Sequence, residues 1–215
     1  MADPNPQDRQ ALIQFLTTEH FTLQGARSSA IAETNSRLQI YMAVLSSSIL
    51  GLALVAQFSK EAFFTFAFVL LPMVYVFGLA TVTRLRQSWL EWFIAGQGMG
   101  RIRRFFVETT PEAERYLILP TTDQPWAVLG GTGVMRGGPW RGLVTAAGVV
   151  AMINSVVAGV LAGLAVANIN ENARTFIGLA GGAVFLVSLV TLMVTGRRVV
   201  YRYISEAEVR FPEES

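Results

Sequence analysis

Four stretches of this chain contain no Asp, Glu, Lys, Arg or His: Ile40–Phe58, Ala62–Thr83, Leu143–Ala167 and Phe176–Thr195. Crossing a hydrocarbon core of roughly 30 Å takes about 20 apolar residues at 1.5 Å rise each. One such run could be a helix buried in a soluble core. Four uncharged runs of this length in a chain of 215 residues argue against that. Only 15% of the residues are charged, against roughly 25% in an ordinary soluble domain. The mean hydropathy is +0.44. The pattern predicts an all-α polytopic membrane protein with four spans in a lipid bilayer.

The connections predict the topology. Only Ser59, Lys60 and Glu61 separate the first two spans, and Asn168–Thr175 separates the last two, so each pair reads as a tight hairpin. Of the 17 cationic residues, only Lys60 and Arg174 lie in those turns. Cationic residues stay on the cytoplasmic side. This places both termini and the long middle segment inside, with the two turns outside. The chain then divides into an N-terminal tail and helix (1–39), a first hairpin (40–83), an amphipathic helix with a loop (84–142), a second hairpin (143–195) and a C-terminal helix (196–215). The N-terminus, MADPNPQDRQ, has neither the basic nor the apolar region of a secretory signal. The first span is therefore expected to act as an internal signal.

A shift of 112 residues lays Gly51-Leu52-Ala53 on Gly163-Leu164-Ala165, Val82-Thr83 on Val194-Thr195 and Arg86 on Arg198. If this is a duplication, it is a parallel repeat with a pseudo-two-fold axis along the membrane normal. Small residues recur at four-residue spacing through the third span: Ala147, Ala151, Ser155, Gly159, Gly163 and Ala167. Ser47 and Gly51 repeat the spacing in the first span, and Gly178 and Gly182 in the fourth. In lipid, small residues let two backbones approach. The file reads as an internal packing seam, an interface with a second subunit, or the wall of a narrow path. Asn154 is the one strongly polar side chain near the middle of a span, and its amide is expected to bond across to another helix. Pro72 removes a backbone bond in the second span, which predicts a kink.

In the middle segment, Leu85, Trp89, Trp92, Met99, Ile102 and Phe106 recur at three or four residues, flanked by Arg84, Arg86, Arg101, Arg103 and Arg104. This is the pattern of a helix at headgroup level. It also fits an amphipathic helix packed on a soluble domain. Thr110-Pro111-Glu112 has the residues of a helix start, with a capping hydroxyl, and a short helix is expected to about Leu119. Residues 120–142 read as a Gly/Pro-rich loop carrying Trp126 and Trp140.

Several chemistries are excluded. There is no cysteine, hence no disulfide and no thiolate-ligated metal. Gly96-Gln97-Gly98-Met99-Gly100 has the wrong spacing for a dinucleotide fingerprint. Gly130-Gly131-Thr132-Gly133 lacks the Lys-Ser/Thr of a phosphate loop. His20, the only histidine, has no metal partner at helical spacing. Intramembrane hydrolases, proton-coupled pumps and voltage sensors need ionisable groups at membrane depth, and the spans hold none. The expectation is a protein that is not an enzyme, binds no cofactor or metal, and has too little net charge to target nucleic acid.

The segment ARSSAIAETNSRLQIYMAV, the turn Ser59–Glu61 and the stretch TRLRQSW together resemble the layout of SLATT-type bacterial membrane proteins. The chain is also similar to uncharacterised four-span bacterial integral membrane proteins. The resemblance implies an inner-membrane location and a role as a pore-forming effector in nucleotide-linked defence. Three readings of function follow. In the first, an oligomeric pore has Asn154 and Ser155 on the path, with Gly159 and Gly163 as path or packing residues. Arg84, Arg86, Arg197 and Arg198 form its cytoplasmic mouth, which would favour anions. The second is a non-conducting scaffold that holds a cytoplasmic protein partner. The third is a small-molecule carrier. Homo-oligomerisation is expected for the pore.

Overall fold

The computed structural model describes residues 5–130, 141–170 and 173–212. Among these residues helices are the only regular secondary structure. The helices are α1 (Pro6–Val55), α2 (Lys60–Thr109), α3 (Pro125–Gly130), α4 (Arg141–Val144), α5 (Ala146–Ile169) and α6 (Arg174–Glu206), with a 3-10 turn at Pro111–Tyr116. α1, α2, α5 and α6 are each long and apolar enough to cross a membrane.

Local chemistry sets the helix ends. α1 starts where Asn5 accepts the Gln7 N–H, with Pro6 in the first position, where its missing N–H costs nothing. The helix then runs for 50 residues, about 75 Å at the usual rise. The region 1–39, expected to be a tail followed by a helix, is thus helical from Pro6 onward. The first connection falls at residues 56–59, slightly earlier than expected. Ser59 closes it by accepting the Ala62 N–H at 3.0 Å, so Lys60 and Glu61 already belong to α2. α2 also has 50 residues and continues uninterrupted through Pro72.

The third apolar run does not begin as one helix. Thr145 interrupts it by donating to the Gly142 carbonyl and accepting the Gly148 N–H, so α5 starts at Ala146. Thr110 makes no side-chain cap, and its segment becomes the 3-10 turn ending at Tyr116. The expected loop after Pro120 contains α3. Its remainder, residues 131–140, lies outside the described residues, and Trp140 with it.

The chain forms two compact units. The first comprises residues 1–33, 88–138 and 203–215, and the second residues 34–87 and 139–202. α1, α2 and α6 each contribute residues to both.

In the first unit the interior is built on α2. Phe93, Ala95, Met99 and Ile102 are buried, and Trp92 and Phe106 are half-buried. Most of the aromatic stripe expected at a lipid surface is packed within this unit. The glycines of Gly96-Gln97-Gly98-Met99-Gly100 allow close approach by three other segments. A methyl group on Gly96 would lie 2.7 Å from Val128 of α3, and one on Gly98 would lie 2.8 Å from Leu23 of α1. One on Gly100 would lie 2.5 Å from the Thr122 carbonyl oxygen. The failed nucleotide motif is a packing motif.

In the second unit α5 is the central helix. Val150 and Ala151 pack with Tyr41 of α1 and with Val82 and Leu85 of α2. Val157 packs with Ala67, Leu71 and Val74 of α2. α6 covers the other side of α5, and Ser188 is its one buried residue among those described.

Candidate functional site

The small-residue file of α5 is a contact seam within the chain. Ala151, Ser155, Gly159 and Gly163 are all buried. A methyl group on Gly159 would lie 2.7 Å from the Gly181 carbonyl oxygen, and one on Gly181 would lie 2.9 Å from that of Gly159. One on Gly163 would meet Ile177 at 3.5 Å. The Ser155 hydroxyl donates to the Ala151 carbonyl at 2.8 Å and lies 3.1 Å from the Ser188 hydroxyl. The two serines tie α5 to α6 one and two turns beyond the glycine contact.

On α6 the residue that meets α5 is one position away from the expected pair. Gly181 meets α5, whereas Gly178 and Gly182 have nothing within 4 Å of an added methyl group. In α1, Ser48 is buried and donates to the Val44 carbonyl, while Ser47 is exposed. Gly51 meets Phe66 and Gly163 meets Ile177, each at 3.5 Å, but the 112-residue shift carries Phe66 to Gly178, so the two contacts do not correspond. The proposed duplication also differs at Asn154, which is buried while its counterpart Met42 is exposed.

Asn154 is fully buried and points at Gly78 of α2, where its side chain fills the space a Cβ would need. The helix contact is present, but the expected interhelical hydrogen bond is not: neither amide atom has a partner among the described residues. The fully buried Tyr41 hydroxyl is also unpartnered there. Its ring stacks on Phe77 at 6.4 Å. Sequence reasoning passed over Tyr41, although a phenol in an uncharged run is a signal of the same kind as Asn154.

The four arginines expected at a mouth have separate fates. Arg86 crosses to α6 and donates to the Leu192 carbonyl at 2.5 Å. It fits because a methyl group on Gly196 would lie 2.8 Å from its guanidinium. Arg84 donates to Gln87 on its own helix, and Arg197 and Arg198 are exposed.

The most elaborate polar site is in the first unit, around a residue not singled out from the sequence. Asp123 is fully buried. Its carboxylate accepts from Arg101 Nε at 2.7 Å, from the Arg210 N–H at 2.9 Å and from the Phe211 N–H at 3.0 Å. Gln97 donates to the Asp123 carbonyl, Thr122 donates to the Phe211 carbonyl, and Arg101 reaches the Glu208 carbonyl at 2.6 Å. Residues 208–211 are thus clasped to α2 and the loop before α3. Asp123 is the sole carboxylate between Glu114 and Glu171, and that isolation was the available signal.

Burial alone would push the Asp123 carboxyl up. The bonds from Arg210, Arg101 and Phe211, together with the Arg101 charge, outweigh burial and hold it below its ordinary value of 3.8. A carboxyl depressed on folding contributes stability that is fully present above the unfolded value and is lost as pH falls through the folded value. The Arg210 and Phe211 amide chemical shifts are therefore expected to stay flat from roughly pH 7 to pH 4 and to move only in more acidic solution.

Compared with family models, curated proteins and solved structures, the chain gives no match.

Proposed function

We propose that the protein is a non-conducting integral membrane protein whose four spans anchor a helical partner-binding unit on the cytoplasmic side. The observation that carries this reading is the fate of the residues a path would need. Ser155 is bonded to Ser188, Gly159 lies against Gly181, Gly163 against Ile177, and Asn154 against Gly78. All four are turned toward neighbours in the same chain.

The composition of the first unit supports the sidedness. Its three segments, 1–33, 88–138 and 203–215, fall within the regions that the distribution of cations places on one face. Contacts join them: Arg27 to Trp92, and Asp123 to Arg210 and Phe211. Two hairpins that each cross and return leave these segments free to meet.

The surface favoured for a partner is the run Tyr116–Leu119. Tyr116 is 72% exposed and Ile118 98% exposed, with Leu117 and Leu119 also exposed. Apolar side chains presented together in this way are characteristic of an interaction site. Ile118→Asp is expected to leave the melting temperature within about 2 °C, since surface changes away from packed features cost within ±0.5 kcal/mol. It is also expected to abolish co-purification of the partner. Retained partner binding would count against this surface. Ion and dye flux from proteoliposomes tests non-conduction, with leak expected to equal that of empty vesicles.

The second reading, an oligomeric pore, is favoured by Gly178 and Gly182. They stand four residues apart on an outward face of α6 with nothing over them. Under that reading Gly182→Leu breaks the oligomer and stops flux, whereas under the first it changes neither.

A further inference from the structure

Two arginines in the first unit differ from their neighbours. Arg101 is paired with Asp123, Arg104 with Glu108, and Arg210 with Glu208. Arg27 of α1 and Arg103 of α2 are both partly buried, and neither has an ion pair with a carboxylate among the described residues. Partly buried cations without a counter-charge are costly.

The contacts around them set an order along the seam. The Arg27 guanidinium lies over the Trp92 ring, 4.0 Å from its centroid, and 3.8 Å from where a Cβ on Gly96 would sit. Leu23 faces Gly98. Arg27 beside Gly96 and Leu23 beside Gly98 set an antiparallel register, and seven residues along each helix from the first of these pairs lie His20 and Arg103. The electrostatics agree. Burial and then the Arg27 charge hold Arg103 below its ordinary value, and burial and then the Arg103 charge do the same to His20. Three basic groups share one seam, and each charge weighs on the next.

The ring attracts the Arg27 guanidinium and helps to hold it in place. Arg103 spends one Nη1 donation, on the Pro120 carbonyl at 3.2 Å. A guanidinium has five N–H donors in a fork suited to phosphate oxygens, so most of the donors remain for a ligand. We propose that Arg27, Arg103 and His20 form a binding site for a phosphate group. The phosphate could be free or could belong to a lipid headgroup. The proposal is independent of whether the spans conduct.

The full chain in nanodiscs provides the test, with the single histidine as reporter. Inorganic phosphate added to neutral phosphatidylcholine discs is expected to shift the His20 imidazole resonances saturably, with chloride at matched ionic strength giving no such shift. That result identifies free phosphate as the ligand. A shift seen only when the discs contain phosphatidylglycerol identifies a headgroup. Arg27→Gln and Arg103→Gln are each expected to weaken the response about tenfold or more, and Arg9→Gln to leave it unchanged. Arg27→Lys keeps the charge over Trp92 and provides a check that the helices still pack. The proposal is overturned if neither source shifts His20, if chloride acts equally, or if the Arg9 variant loses the response to the same extent as the other two.

Discussion

Asp123→Ala is expected to release the C-terminal segment and to remove about 2–4 kcal/mol of stability from the first unit. The substitution deletes the acceptor of three hydrogen bonds at once and strands the Arg101 guanidinium beside a void. Charge-assisted hydrogen bonds are stronger than neutral ones, and Arg101 is mostly shielded, with its side chain 29% exposed. Amide exchange at residues 208–211 should rise to the rate of an unstructured chain, while exchange in α5 stays unchanged. Asp123→Asn keeps the shape and loses the charge, so it should fall between wild type and alanine. Unchanged protection at Phe211 in the alanine variant would show that the clasp does not hold the tail.

Gly159→Val is expected to force α5 and α6 apart. The first added carbon would already lie 2.7 Å from the Gly181 carbonyl oxygen and 3.1 Å from the Phe185 Cβ. The nearest atom is backbone, so relief requires a helix to move. Overpacking of this kind costs about 1–3 kcal/mol, and separation would also break the Ser155–Ser188 contact. Unfolding in mild detergent should show the loss. Gly182→Ala is the control, because its methyl group meets nothing within 4 Å. Equal destabilisation by the two variants would contradict the assigned seam.

These two sites differ in how legible they were. The α5 file could be read from sequence because four-residue spacing returns near one helix face, and its four central members are buried. Its partners were harder to choose. Ser47 and Ser48 are both small, as are Gly181 and Gly182, and adjacent helical residues point about 100° apart. Spacing within one helix does not say which of two neighbours meets another helix. The Asp123 clasp depends on residues 87 or 88 positions away in sequence, a separation that no local pattern encodes. The amphipathic stripe of α2 was visible, but its periodicity fits a lipid surface and a protein neighbour equally, and the neighbours Leu23, Arg27 and Val128 are far away in sequence. The run from Gly96 to Gly100 looked like a poor nucleotide motif. Its glycines answer instead to a side chain of α3, one of α1 and the Thr122 backbone.

Topology is the most direct test of the account, and a chain with no cysteine is well suited to it. Single cysteines would be placed at Lys60, the first residue of α2 after the first turn, at Ala173 in the second turn, and at Glu114 and Ser205 beyond the spans. Each variant would be treated with a membrane-impermeant maleimide, first on intact cells freed of their wall and then after permeabilisation. The account predicts labelling of positions 60 and 173 in intact cells, and of 114 and 205 only after permeabilisation. Labelling of 114 or 205 from the same side as 60 would contradict it.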